Sequence, residues 1–133
     1  MKTILKIVCI FLISALVACT KTESKRVYFK NLKDGQTVTT PVKVEMGVDG
    51  MTVMKAGELI ENTGHHHLVI DGQPEPKGTI VPKDATHIHF GDGATATVLP
   101  LSAGKHTLTL QFADGVHRSY GPEMSSTISV TVQ

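Results

Sequence analysis

The sequence predicts an all-β fold, an immunoglobulin-like β-sandwich of about seven antiparallel strands. Three observations lead there. Apolar residues recur with a period of two rather than 3.6. The runs are rich in β-branched residues, which suit a half-buried pleated surface. Turn pairs punctuate them: Asp34-Gly35, Asp49-Gly50, Asp71-Gly72, Ala103-Gly104 and Asp114-Gly115.

Strands are predicted over 26–30, 40–48, 65–71, 86–90, 94–101, 105–113 and 125–132. In "PVKVEMGV" the residues Val42, Val44, Met46 and Val48 share one face. In "HHHLVID" the core side is marked by Leu68 and Ile70, and in "THIHF" by Ile88 and Phe90. "GDG" at 91–93 reads as a hairpin turn leading into the next strand. It is not a phosphate cradle, because no helix follows. "KHTLTLQF" sets His106, Leu108, Leu110 and Phe112 against Thr107, Thr109 and Gln111. "TISVTV" alternates Ile128, Val130 and Val132 with polar residues. One helical turn is expected near Ala56 to Ile60. Two connections are long, Asp49 to Gly64 and Gly72 to Ala85, and long loops of this kind are often functional.

The N-terminal segment stands apart. Lys2 and Lys6 precede an apolar run from Ile7 to Ala18, shorter than the roughly 20 residues of a membrane span. Leu16-Val17-Ala18-Cys19 resembles a bacterial lipobox, whose cysteine is diacylated and becomes the new N-terminus. Residues 1–18 are therefore read as a lipoprotein signal peptide, 19–25 as the lipidated Cys19 and a polar tether, and 26–133 as the β-sandwich domain. The expected location is the bacterial cell envelope, with the lipid as membrane anchor. In a Gram-negative cell that means the outer membrane, facing the periplasm. Loss of Cys9 with the signal and lipidation of Cys19 leave the domain without a thiol or disulfide. Removing Lys2 and Lys6 from the 13 basic residues leaves 11 against 12 acidic ones. With no basic patch, nucleic acid is not an expected partner.

The chain has seven histidines. Residues two apart on a strand share a face. His66 should lie with Leu68 and Ile70, so its loss should hurt stability more than ligand affinity. His65 and His67 should point the other way, as should His87 and His89. Pairing of the two strands would gather His65, His67, His87 and His89 into a two-by-two patch able to hold one metal ion. Imidazoles suit copper, zinc and nickel, and copper binds most tightly at a given nitrogen site. Copper is the favoured ion and zinc the second choice. Met51, Met54, Met124, Asp71, Asp92 and His117 are further candidates. The simpler readings are that the methionines plug the core, that His106 is a rim residue and that His117 is a loop residue. The histidines could equally be structural, hydrogen-bonding loop backbone to hold the two long loops.

"NTGHHHLVID", "HIHFGDGATAT" and "LPLSAGKHTLTLQFADGVH" together resemble a bacterial exported-domain family of unknown function, marked by GHHHLLID-like, HxHFGxGxT-like and GKHTLxL-like motifs. The resemblance covers Val27 to Gln133. Val69 stands where that family usually has Leu. The resemblance implies a small periplasmic or lipid-anchored β-sandwich and no particular activity.

Two functional classes follow. One is a lipid-anchored metal-binding module for copper uptake, delivery or sequestration. The other is a non-catalytic envelope adhesion or assembly module with structural histidines and an envelope protein as partner. An enzyme is not expected. "HIHFGD" is similar to the HxH strand of copper–zinc superoxide dismutases, but the domain lacks the disulfide of that family.

Overall fold

The computed structural model describes residues 24–133. The signal segment and Cys19 lie outside the described residues. The strands are β1 (Arg26–Phe29), β2 (Gln36–Val38), β3 (Val42–Asp49), β4 (Thr52–Val53), β5 (Thr63–Ile70), β6 (His87–His89), β7 (Ala96–Leu99), β8 (Gly104–Ala113) and β9 (Ser125–Val132). One 3-10 turn, Pro122–Met124, precedes β9.

The chain folds into an all-β sandwich. A small sheet has the order β1-β3-β7; the large one runs β2-β9-β8-β5-β4, with β6 also paired to β5. The period of two decides what lies between them. Val27, Val42, Val44, Met46 and Leu99 come from the small sheet; Leu68, Leu108, Leu110, Phe112, Ile128 and Val130 come from the large one. Each such side chain contributes roughly 1.5–3 kcal/mol when removed fully from water, so no disulfide is needed.

Every strand predicted from the sequence is present, with ends differing by a few residues. The structure adds β2 and β4, which are too short to show a period. Both pair in parallel, β2 with β9 and β4 with β5, so the sheets are not purely antiparallel. The expected helical turn near residues 56–60 is a non-helical turn. Gly91-Asp92-Gly93 is a turn, closed by Gly93 N–H donating to Phe90 O at 3.0 Å, but it does not form a hairpin. It carries the chain from β6 in the large sheet to β7 in the small one.

The outer face of the large sheet is covered over β5 and the C-terminal half of β8, while Thr127 and Ser129 of β9 stay exposed. The long segment after β5 is laid across it. Thr109 Oγ1 donates to Gly72 O at 3.0 Å. Glu75 N–H donates to Gln111 Oε1 at 3.1 Å, while Gln111 Nε2 donates to Gly121 O at 3.1 Å. Val81 N–H donates to His117 O at 2.9 Å. Thr109 and Gln111 are consequently fully buried. Backbone groups of an irregular segment need partners once covered, and these side chains supply several.

Candidate metal centre

β5 carries three consecutive histidines, and alternation separates them. His66 faces the core and packs edge-on against Phe112, with ring centroids 5.1 Å apart. His65 and His67 face the outer side of the sheet, beneath the covering loops. All three are buried, with relative exposures of 0 % for His65 and His66 and 1 % for His67. The expected direction of each side chain is right; the outward pair is nevertheless shielded from solvent.

Register then decides which other histidines join. The antiparallel pairing of β5 with β6 sets His67 opposite His89 and Val69 opposite His87. On the other edge, His65 is opposite the small residue Ala113 of β8. Beyond Ala113 the chain turns back, with an isolated bridge from Ala113 to Ser119. That turn lays His117 onto the cluster. A Cβ at Gly91 would collide with the His89 ring, so the ring occupies space that only glycine leaves.

Four imidazoles thus meet. His65 Nε2 and His67 Nε2 are 3.0 Å apart, and His89 Nε2 and His117 Nε2 are 3.1 Å apart. One nitrogen each from His65, His67 and His89 lie within 4.8 Å of one another and could hold a metal ion. The His117 ring centroid is 4.7 Å from that of His89 and 5.1 Å from that of His65. Adjacent nitrogens on a tetrahedral ion are about 3.3 Å apart when metal–nitrogen bonds are about 2.0–2.1 Å, so the two close pairs approximate edges of such a site. His65 and His67 form its buried floor. His89 and His117, each partly exposed, form its mouth. One strap steadies both mouth loops: Ala56 N–H donates to Gly91 O and Gly57 N–H to Gly115 O, each at 2.8 Å.

The electrostatics keep the floor neutral. Burial pushes the His65 pKa down to about 4, helped by repulsion from His89 and His117. Burial likewise takes His66 to about 4 and His67 to about 3, where His65 adds to the effect. His89 is also lowered, chiefly by burial. Deprotonated imidazoles are the metal-binding form. Nδ1 of His65 and Nδ1 of His67 have no hydrogen-bonding partner among the described residues. These rings face one another and do not fasten the loops.

His87 does not join the cluster. With Val69 opposite, its ring is turned to the covering loop, Nδ1 lying 2.9 Å from Asp84 Oδ1 and Nε2 3.6 Å from Glu75 Oε1. The hydrogen bond from His87 holds the Asp84 carboxyl well below the usual range. His106 sits at the rim, where Nδ1 meets Asp71 Oδ2 at 2.9 Å and Nε2 meets Ser102 O at 3.0 Å. Its pKa is raised, first by the hydrogen bond to Asp71. Ser102 Oγ is 3.3 Å from the same Nε2, a spacing like that of a hydrolytic Ser-His-Asp chain. The ring instead donates to the nearer carbonyl, which leaves no lone pair to take the hydroxyl proton. Met124 belongs to the core and Met51 packs against it. Asp92 accepts from Ala94 N–H within its turn.

Residues 44–133 match a family described as a domain of unknown function, DUF4399. No curated protein and no solved structure matches the chain.

Proposed function

From the premise that the chain belongs to that family, we propose that the domain binds one transition-metal ion through His65, His67, His89 and His117. Copper is favoured and zinc is second. The role is non-catalytic: carriage or sequestration at the bacterial cell envelope, with Cys19 as the lipid anchor. One observation supports the metal reading above the others. His65 and His67 turn Nε2 toward each other at 3.0 Å, and one nitrogen each of His65, His67 and His89 lie within 4.8 Å of one another. An ion shared at Nε2 would replace this contact with metal–nitrogen bonds of about 2.0–2.1 Å and would take both rings in their neutral form. With no thiolate in the donor set, imidazole chemistry ranks copper(II) above zinc.

Calorimetric titration of untagged protein with copper(II) and zinc(II) tests this. One equivalent of copper should bind, more tightly than zinc. Replacing both His65 and His67, or both His89 and His117, should remove binding, whereas His87→Ala should retain it. If the unsubstituted protein binds neither ion better than the double variants, the metal reading fails and the adhesion or assembly module replaces it. For the anchor, Cys19→Ala should shift the protein from the membrane fraction to uncleaved precursor or soluble material.

A further inference from the structure

We infer that Asp114 is the positioning residue that presents His117 to the metal centre, an inference that rests on the proposed metal reading. The carboxylate is buried, at 8 % side-chain exposure, and sits at the foot of the turn that carries His117. Oδ1 accepts from Val116 N–H at 3.0 Å and from Arg118 N–H at 2.9 Å. Oδ2 accepts from Arg118 Nε at 3.0 Å. The residues on both sides of His117 are thereby tied to one carboxylate. The backbone completes the closure: His117 N–H donates to Asp114 O, and Asp114 N–H donates to Arg118 O, each at 2.9 Å.

The conformation held in this way is one that His117 would not adopt unaided. Its φ is 70°, in the left-handed region, which disfavours a non-glycine residue and persists only where the surroundings enforce it. Asp114 enforces it from below, and the strap at Gly57 and Glu58 from beside. A Cβ at Gly115 would collide with Glu58 O, so the turn has no slack on that side. The product of this restraint is the 3.1 Å approach of His117 Nε2 to His89 Nε2. Groups that orient a ligand from behind are worth about 10–100-fold in metal affinity.

Asp114→Ala, Asp114→Asn, His117→Ala and the Asp114→Ala/His117→Ala pair would be compared by copper(II) titration. Asp114→Ala should lower affinity by about 10–100-fold. Asp114→Asn keeps an oxygen for the Val116 and Arg118 amides and should recover most of that loss. In the His117→Ala background, Asp114→Ala should change affinity no further. Val116→Pro, which deletes one of the tied amides while leaving Asp114 in place, should also weaken binding and serves if Asp114→Ala does not fold. A metal-free readout runs in parallel. Nuclear Overhauser contacts between the His89 and His117 rings should be present in the unsubstituted protein and lost in Asp114→Ala or Val116→Pro. Retained ring contacts and unchanged affinity in those variants would overturn the role of Asp114, as would an equal affinity loss with His117 already absent. Unsubstituted protein that binds no metal overturns the proposed function, and the ring contacts still decide whether Asp114 positions His117.

Discussion

His66 is buried with both ring nitrogens unsatisfied, which carries a desolvation cost. It is fully buried on the core side, and neither ring nitrogen has a partner among the described residues. Nothing in the structure explains why a histidine stands there. Its ring packs edge-on against Phe112, and replacing an unsatisfied polar group by an apolar one of similar shape can be stabilising. His66→Leu should therefore stabilise the domain by about 1–3 kcal/mol and leave copper affinity unchanged. Denaturant unfolding and titration of the same sample check both halves. A loss of stability would mean that the ring holds a partner through solvent. His117 shows the limit of reading residues alone. Its sequence context, "DGVHR", signals a turn, and a turn residue is what it is. Its place beside His89 depends on contacts between segments distant in sequence, and no local pattern encodes that.

At the scale of elements, alternation was enough to orient each histidine but not to align the strands. In β5 and β6 the residues Leu68, Ile70, Ile88 and Phe90 set which side each histidine takes. A shift of two residues along the pair would keep every side chain on its face, so the pattern does not distinguish the observed register from one with His87 in the cluster. The strands without a sequence signal, β2 and β4, span three and two residues; such lengths carry no period. The covering segment also had no strand signal, yet it is held as firmly as a strand at Gln111. That side chain accepts from Glu75 N–H and donates to Phe112 O, Gly121 O and Met124 O. Gln111→Ala would strand several of these groups beneath the loop. It should destabilise the domain by about 3 kcal/mol and raise amide exchange at Glu75, a pattern that hydrogen-exchange measurements can resolve. Uniform exchange across the sheet, with Glu75 no faster than the rest, would count against this anchoring.

The whole molecule should respond to acid through its buried histidines. His65, His66 and His67 have folded values of about 4, about 4 and about 3, below the unfolded value of about 6.5. The unfolded chain therefore binds more protons between those limits, and stability rises with pH there. The contribution is present above pH about 6.5 and is lost as pH falls toward the folded values. Between pH 7 and 5 the three together remove on the order of 5 kcal/mol, comparable with the entire stability of a small domain. His106, raised first by its hydrogen bond to Asp71, acts in the opposite direction, one group against three. Metal-free protein should thus lose its β circular-dichroism signal near pH 5 while remaining folded at pH 7. His66→Leu removes one of the three protonation sites and should move the acid midpoint lower. On the proposed reading, copper would bind only the folded, deprotonated cluster and stabilise it by mass action, so saturation should also lower the midpoint. The two shifts have separate causes and should add in copper-loaded His66→Leu. An acid midpoint that neither change moves would show that the buried histidines do not set the pH limit of the fold.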